Sequence, residues 1–168
     1  MQPQAGSLLF ALLNAPIRPG RIAWLGLRPA RRAVMISVET ATADATQGLV
    51  GDRYSGRSGT RQVTLIQQEH LAAIASHLGL ERIAPDQLRR NIVVAGINLA
   101  ALKDHHFRLG SAVLAWTGEC HPCSRMEEAF GPGGYNAVRG HGGITARVIE
   151  GGAIAIGDRL DRLPDADT

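Results

Sequence analysis

The chain has two cysteines, and both lie in one run, Thr117-Gly118-Glu119-Cys120-His121-Pro122-Cys123-Ser124-Arg125. Two thiols, an imidazole and a carboxylate fall within five residues, on what reads as a strand-to-helix turn. Several chemistries fit that set. A structural zinc site needs four ligands; Cys120 and Cys123 supply two, and His105, His106 or His141 would have to supply the rest, with no second paired motif to help. A thiol–disulfide couple needs a thiolate stabilised at a helix start, and Cys-X-X-Cys with Pro122 ahead of a helix suits it, but the βαβ setting expected around such a motif is absent. A single soft thiolate can instead hold a transition metal within a larger cofactor, or carry a sulfane sulfur as a persulfide. Inert buried thiols fit poorly with flanking Glu119, His121, Pro122 and Ser124.

A large anionic cofactor would need a cradle of cations and backbone N–H groups. The chain offers Arg53, Arg57 and Arg61 on a Gly-rich stretch, and Arg89-Arg90-Asn91 just before a strand. Arginine dominates the cations, with Lys103 the sole lysine. A guanidinium is suited to bidentate recognition of phosphate or carboxylate; a GC-rich genome would give the same bias. His70 and His77 fall on an expected helix and read as exposed, and His105-His106 as a turn.

The 168 residues are enough for one domain with a sizeable core. Aromatics make up only 4% of the chain, so the core must be aliphatic, and 20 glycines imply many turns or bulges. The net charge of +3 is mildly basic, and neither a nucleic-acid nor a membrane partner is expected. Two cysteines three apart are no secreted disulfide framework, so a reducing, cytoplasmic compartment is expected. The apolar run Leu8–Leu13 is too short to span a bilayer and has no preceding basic residues as a signal peptide would. It reads as a short helix packed on the domain, within an N-terminal extension of residues 1–19.

Strands are expected at 21–27, 33–40, 62–66, 92–94, 107–109, 113–117, 144–150 and 153–156. Helices or helical turns are expected at 7–14, 67–79, 87–90, 99–103 and 124–129. Residues 47–61 read as a Gly-rich loop or wide hairpin, and 131–143 as a second long Gly-rich loop. Many short strands without a βαβ period favour a mainly β (α+β) domain, a barrel with a few short peripheral helices.

Taken in order, several pieces resemble the MOSC domain, named for the C-terminal domain of molybdenum cofactor sulfurase. They are Gly48-Leu-Val-Gly-Asp-Arg-Tyr54, Arg61-Gln-Val-Thr-Leu-Ile66 with Glu69, Leu88-Arg-Arg-Asn-Ile-Val-Val94, Gly118-Glu-Cys-His-Pro-Cys-Ser-Arg-Met126, Gly143-Ile-Thr-Ala-Arg-Val148 and Ile156-Gly-Asp158. The resemblance spans roughly residues 20–160, with 161–168 left as a frayed tail, and matches the short stand-alone bacterial form. It implies a β-barrel-like fold and a molybdopterin-type cofactor. It puts the metal-ligating thiolate on Cys123, with Cys120 as a second thiol at the catalytic site. It carries cofactor contacts to Arg89, Arg90 and Asn91, and to Arg53 and His121. The chain has no room for the pyridoxal-phosphate desulfurase domain of the sulfurases, nor for the extra N-terminal barrel of the larger reductases.

The expected function is therefore a molybdenum-dependent oxidoreductase that reduces N-hydroxylated bases or related N–O compounds. No nucleotide-binding or iron–sulfur motif is present, so an electron-donor protein must serve it alongside the small-molecule substrate. The alternative is a sulfur carrier: Cys123 accepts a persulfide from a cysteine desulfurase and delivers it for metal–sulfur cofactor assembly, with Cys120 able to resolve it as a disulfide. A third reading is a cofactor-binding module without turnover. A small barrel with long Gly-rich loops could also pair as a homodimer.

Overall fold

The structure is a computed structural model and describes residues 3–54 and 56–164. Its strands are β1 (Gly20–Leu27), β2 (Ile36–Val38), β3 (Thr40–Asp44), β4 (Gly48–Leu49), β5 (Val63–Gln67), β6 (Ile92–Ala95), β7 (His106–Leu109), β8 (Ala112–Glu119), β9 (Ile144–Glu150), β10 (Gly152–Ala155) and β11 (Arg159–Arg162). Its helices are α1 (Leu8–Asn14), α2 (Gln68–His77), α3 (Arg125–Phe130) and α4 (Gly134–Val138), with 3-10 turns at Pro85–Leu88 and Leu99–Leu102.

Seven strands form a ring in the order β11-β7-β8-β9-β5-β6-β1. Pairing of Gly20 with Leu160 and Arg21 with Arg159 closes it. Closure removes the free edges that an open sheet would expose. An irregularity in β1 between Ile22 and Trp24 bends that strand, as a bulge does, and its far end pairs with β2. The strands β10, β3 and β4 make a separate small sheet.

Side chains alternate across the strands because the pleat has a period of two. Leu65, Ile92 and Val94 enter the barrel core with Ile22, Phe107, Leu109, Leu114, Val148 and Leu160. Ile66 and Val93 point the other way and meet Ile74, Leu88, Met126 and Val138 in a second cluster outside the barrel. That second cluster exists because β5 and β6 are the parallel pair. A parallel pair needs a crossover, and α2 and the Pro85–Leu88 turn supply it.

Most expected elements are present within a residue or two. Three differences have physical causes. The expected strand 33–40 is broken: only Ile36–Val38 pairs with β1, and Thr40–Asp44 joins the small sheet. The glycine-rich stretch 131–143 is not all loop. Glu127 accepts backbone hydrogen bonds from Gly133 (2.9 Å) and Tyr135 (2.8 Å) at the start of α4, and Ala137 and Val138 are buried in the second cluster. The strand β11 carries the barrel two residues beyond 160, and residues 165–168 of the expected frayed tail lie outside the described residues.

The helix α1 forms as the Leu8–Leu13 run implied, with Ser7 as its N-cap accepting from the Phe10 amide. It does not pack by its leucines: Leu8, Leu9, Leu12 and Leu13 are all exposed. Arg162 holds it instead, donating to the carbonyls of Leu13, Asn14 and Ala15 at its C-terminal end, where such orphan acceptors need partners. No helix of the described residues is long and apolar enough to cross a membrane.

Candidate functional site

The strand β8 ends at Glu119, and residues 120–123 run on without turn or bend before Ser124 and α3. Cys120 is buried and Cys123 is exposed. The two sulfurs are both free and occupy different environments.

Arg90 fixes this segment. It is only 8% exposed. Its Nη2 donates to the Cys120 carbonyl (3.3 Å), its Nε to the Gly142 carbonyl (2.7 Å) and its Nη1 to the Leu88 carbonyl (2.9 Å). The Cys120 amide donates to the Gly143 carbonyl at 2.8 Å. A Cβ on Gly142 would overlap the Cys120 carbonyl, and one on Gly143 the Leu65 carbonyl; glycine is required where two backbones approach so closely. Burial pulls the Arg90 guanidinium below its ordinary pKa, and the thiols of Cys120 and Cys123 pull it back. Both sulfurs thus lie within the field of one buried cation.

Asn91 is fully enclosed. Its Oδ1 accepts from the Thr64 amide (3.2 Å), Thr64 Oγ1 (3.0 Å) and Arg28 Nη2 (3.2 Å). Its Nδ2 donates to the Gly26 carbonyl (3.1 Å) and Asp52 Oδ1 (3.0 Å). Asp52 also takes Nε and Nη2 of Arg28 at 3.0 and 2.7 Å. Burial alone would raise the Asp52 carboxyl, but the hydrogen bonds and charge of Arg28 override it and hold the group below its ordinary 3.8. Arg90 and Asn91, expected as cofactor contacts, are thus brought to the site as its frame, with their polar groups engaged by the protein itself.

Beyond this frame lies a chamber of about 290 Å³ lined by Arg28, Arg53, Tyr54, Gly56, Arg61 and Thr64. Arg61 reaches from it to Cys120, its Nη2 standing 3.8 Å from Sγ. Arg89 adjoins it, with a left-handed backbone (φ 55°) after the Pro85–Leu88 turn. Burial lowers the Arg89 guanidinium first, then repulsion from Arg125, Arg28 and Arg53. Its Nη1 donates to the Ala33 carbonyl at 2.6 Å, while its Nη2 is enclosed and has no partner. The hydroxyl of Tyr54 is likewise enclosed without a partner. Crowded cations with unpaired donors are what an anionic ligand would stabilise. Of the residues expected from sequence, Arg53 lines the chamber and Arg89 stands beside it. His121 is elsewhere, exposed and 3.9 Å from Glu119 in a solvated pair. Arg61, expected with Arg53 as a cradle cation, also lines the chamber; Arg28 and Tyr54 join them, and Arg125 lies close enough to repel Arg89. The one signal in sequence for Arg28 is its place next to Pro29 and near Arg31 and Arg32, which together read as a basic turn.

No group of three or more His, Cys, Asp or Glu among the described residues is placed to hold a metal ion, so the zinc arrangement finds no support. The histidines form a different group. The His141 ring meets His70 and His77 edge-on, at 4.7 and 5.1 Å between centroids, and ties the 139–143 loop to α2. His70 is half-buried, not exposed as expected. Burial lowers it below 6.5, and the charge of His141 adds to this, against weaker pulls from Glu69 and the His141 backbone. The unfolded chain therefore takes up this proton first as pH falls. His70 contributes stability that is present above pH 6.5 and is lost as pH drops through its folded value. Thermal unfolding should occur lower at about pH 5.5 than at about pH 7.5, and His70→Asn should narrow that gap. An unchanged gap would place the acid sensitivity elsewhere.

The MOSC domain model matches residues 34–161. The chain belongs to the MOSC domain family. Solved structures carry the same fold. The crystal structure of the YuaD protein from Bacillus subtilis superposes with a TM-score of 0.73 at 21% identity, covering 85% of this chain and 94% of that one. YiiM from Geobacillus stearothermophilus gives 0.69 at 14% identity, covering 88% and 77%. YiiM from Escherichia coli gives 0.66 at 18% identity, covering 88% and 72%. No curated protein matches this MOSC chain in sequence.

Proposed function

We propose that this MOSC protein holds a molybdopterin-type cofactor and reduces N-hydroxylated bases or related N–O compounds. The observation that carries the reading is an arginine-lined chamber whose Arg61 reaches Cys120, in the same short run as the exposed thiol Cys123, and whose Tyr54 hydroxyl has no partner. Those residues fit the group: a thiolate is a soft ligand for a transition metal, and guanidinium groups match a phosphate. When bound, the cofactor supplies a two-electron redox centre. Cys123 anchors it through sulfur. Arg53, Arg61 and Arg89 neutralise its phosphate, and the Tyr54 hydroxyl donates to it. Arg90, Asn91 and Asp52 keep those groups in place without touching the cofactor. Reduction of an N-hydroxyl group takes two electrons and two protons and releases water. The electrons come from a separate donor protein.

The test is elemental analysis of protein made in a molybdenum-replete, cofactor-competent host, followed by reduction of an N-hydroxylated base with an artificial electron donor. Near-stoichiometric molybdenum and turnover are expected. A second reading, sulfur carriage, is favoured by the same exposure of Cys123. Absence of molybdenum in folded protein, with sulfur accepted from a desulfurase by metal-free protein, would replace the first reading with the second.

A further inference from the structure

A surface helix ordinarily turns its apolar stripe to the core. The helix α1 does the reverse. At about 100° per residue, Leu8, Leu9, Leu12 and Leu13 fall within one arc of roughly 140°. They are 76%, 56%, 63% and 54% exposed. Phe10 and Asn14 fall on the opposite side and are half-buried. No residue of α1 is buried. Four adjoining leucines so exposed make an apolar patch of a few hundred Å², the size that marks an interaction site. The helix also lacks the length to stand alone: its 7 residues are well below the roughly 12–15 that an isolated helix needs. Ser7 holds one end and Arg162 the other, and neither covers the leucines.

The chemistry of the face indicates what covers it. Residues 3–17 contain no Asp, Glu, Lys or Arg. A charged partner would find nothing to pair with, and the basic polar face by which an interfacial helix holds a membrane is missing. In a two-fold contact, residues near the axis meet their own copies, so a charge there would oppose itself. A charge-free face suits such self-pairing. Its shape suits it too. Leu8 with Leu12, and Leu9 with Leu13, are i,i+4 pairs, so the face carries two ridges with a groove between them. Identical ridges of that kind interdigitate at a crossing angle of about −50°. With Ala5, Ala11 and Pro16, also exposed, two such faces come close to the ~1,200 Å² at the lower end of specific interfaces.

We propose that α1 is the contact between two copies of this chain, paired leucine face to leucine face about a two-fold axis, in a weak and reversible dimer. The contact is independent of the thiol segment and of any cofactor.

The experiment is sedimentation velocity on the full chain. The mass should rise with concentration from 17.9 kDa toward twice that value, with a Kd of about 10–100 µM, as befits an interface of this size. Because no charge takes part, the Kd should change no more than about twofold between about 0.05 and 0.5 M salt. The double variant Leu9→Glu with Leu12→Glu sets like charges across the axis and should stay monomeric throughout. Both positions are exposed, so its Tm should stay within about 2 °C of wild type. Ile156→Glu, at another exposed apolar position in the turn after β10, should dimerise as wild type does. Wild type that stays monomeric at about ten times the upper Kd, or a dimer that the double variant leaves intact, would overturn the proposal. Flotation of monomeric wild type with phosphatidylcholine vesicles would overturn it as well, and give the leucines to a lipid surface.

Discussion

Cys123→Ser should strip the protein of molybdenum, to below about a tenth of the wild-type metal-to-protein ratio, whereas Cys120→Ser should keep most of it. The asymmetry comes from geometry. Cys123 is open to solvent, and a serine there removes the soft ligand while disturbing no packing. Cys120 is 3% exposed, with its amide bonded to Gly143 and its carbonyl to Arg90. Those bonds are made by the backbone and survive the substitution. The loss at Cys120 is confined to the Arg61 contact and a little packing, on the order of 1 kcal/mol. Elemental analysis of the two variants beside wild type decides the matter. Equal loss in both would mean that the metal uses both sulfurs.

Asn91→Ala should cost about 3–5 kcal/mol of folding stability. The side chain is fully enclosed and makes five hydrogen bonds to Thr64, Arg28, Gly26 and Asp52. Its removal leaves several buried groups unpaired at once, one of them on a guanidinium. In a domain of this size that corresponds to a fall in Tm on the order of 10 °C, readable by circular dichroism. Arg53→Ala is the contrast: it is exposed and should shift Tm by no more than a degree or two, while weakening cofactor retention. A small thermal effect at Asn91 would overturn its role as the frame and return it to the list of cofactor contacts.

The two variants also separate what was legible in the sequence from what was not. Cys123 could be singled out because reactive residue types were concentrated in one short run. The short strands could be recognised because alternation of apolar residues is a local pattern, as in Leu65 inward and Ile66 outward. Asn91 was visible only as part of an Arg-Arg-Asn piece. Nothing local distinguishes an asparagine facing a ligand from one bonded to strands and turns 27 to 65 positions away. The helix α4 was hidden for a similar reason: two of its five residues are not helix formers by themselves (Gly134 and Asn136), and the carboxylate of Glu127 and a buried face make the helix.

The sequence by itself determined the chemical inventory: one exposed-type thiol motif, an excess of arginine over lysine, glycine where backbones must approach, and an aliphatic supply of short strands. It also held the ordered pieces that mark the MOSC family. The tertiary structure alone decided that the sheet closes, since closure depends on Gly20 meeting Leu160. It alone decided that Arg28, Arg53, Arg61, Arg89 and Arg125 converge while Arg90 turns inward. The reason is physical. Periodicity and turn chemistry act between neighbours along the chain, whereas burial, charge crowding and hydrogen-bond satisfaction are set by groups that only the closed barrel brings together.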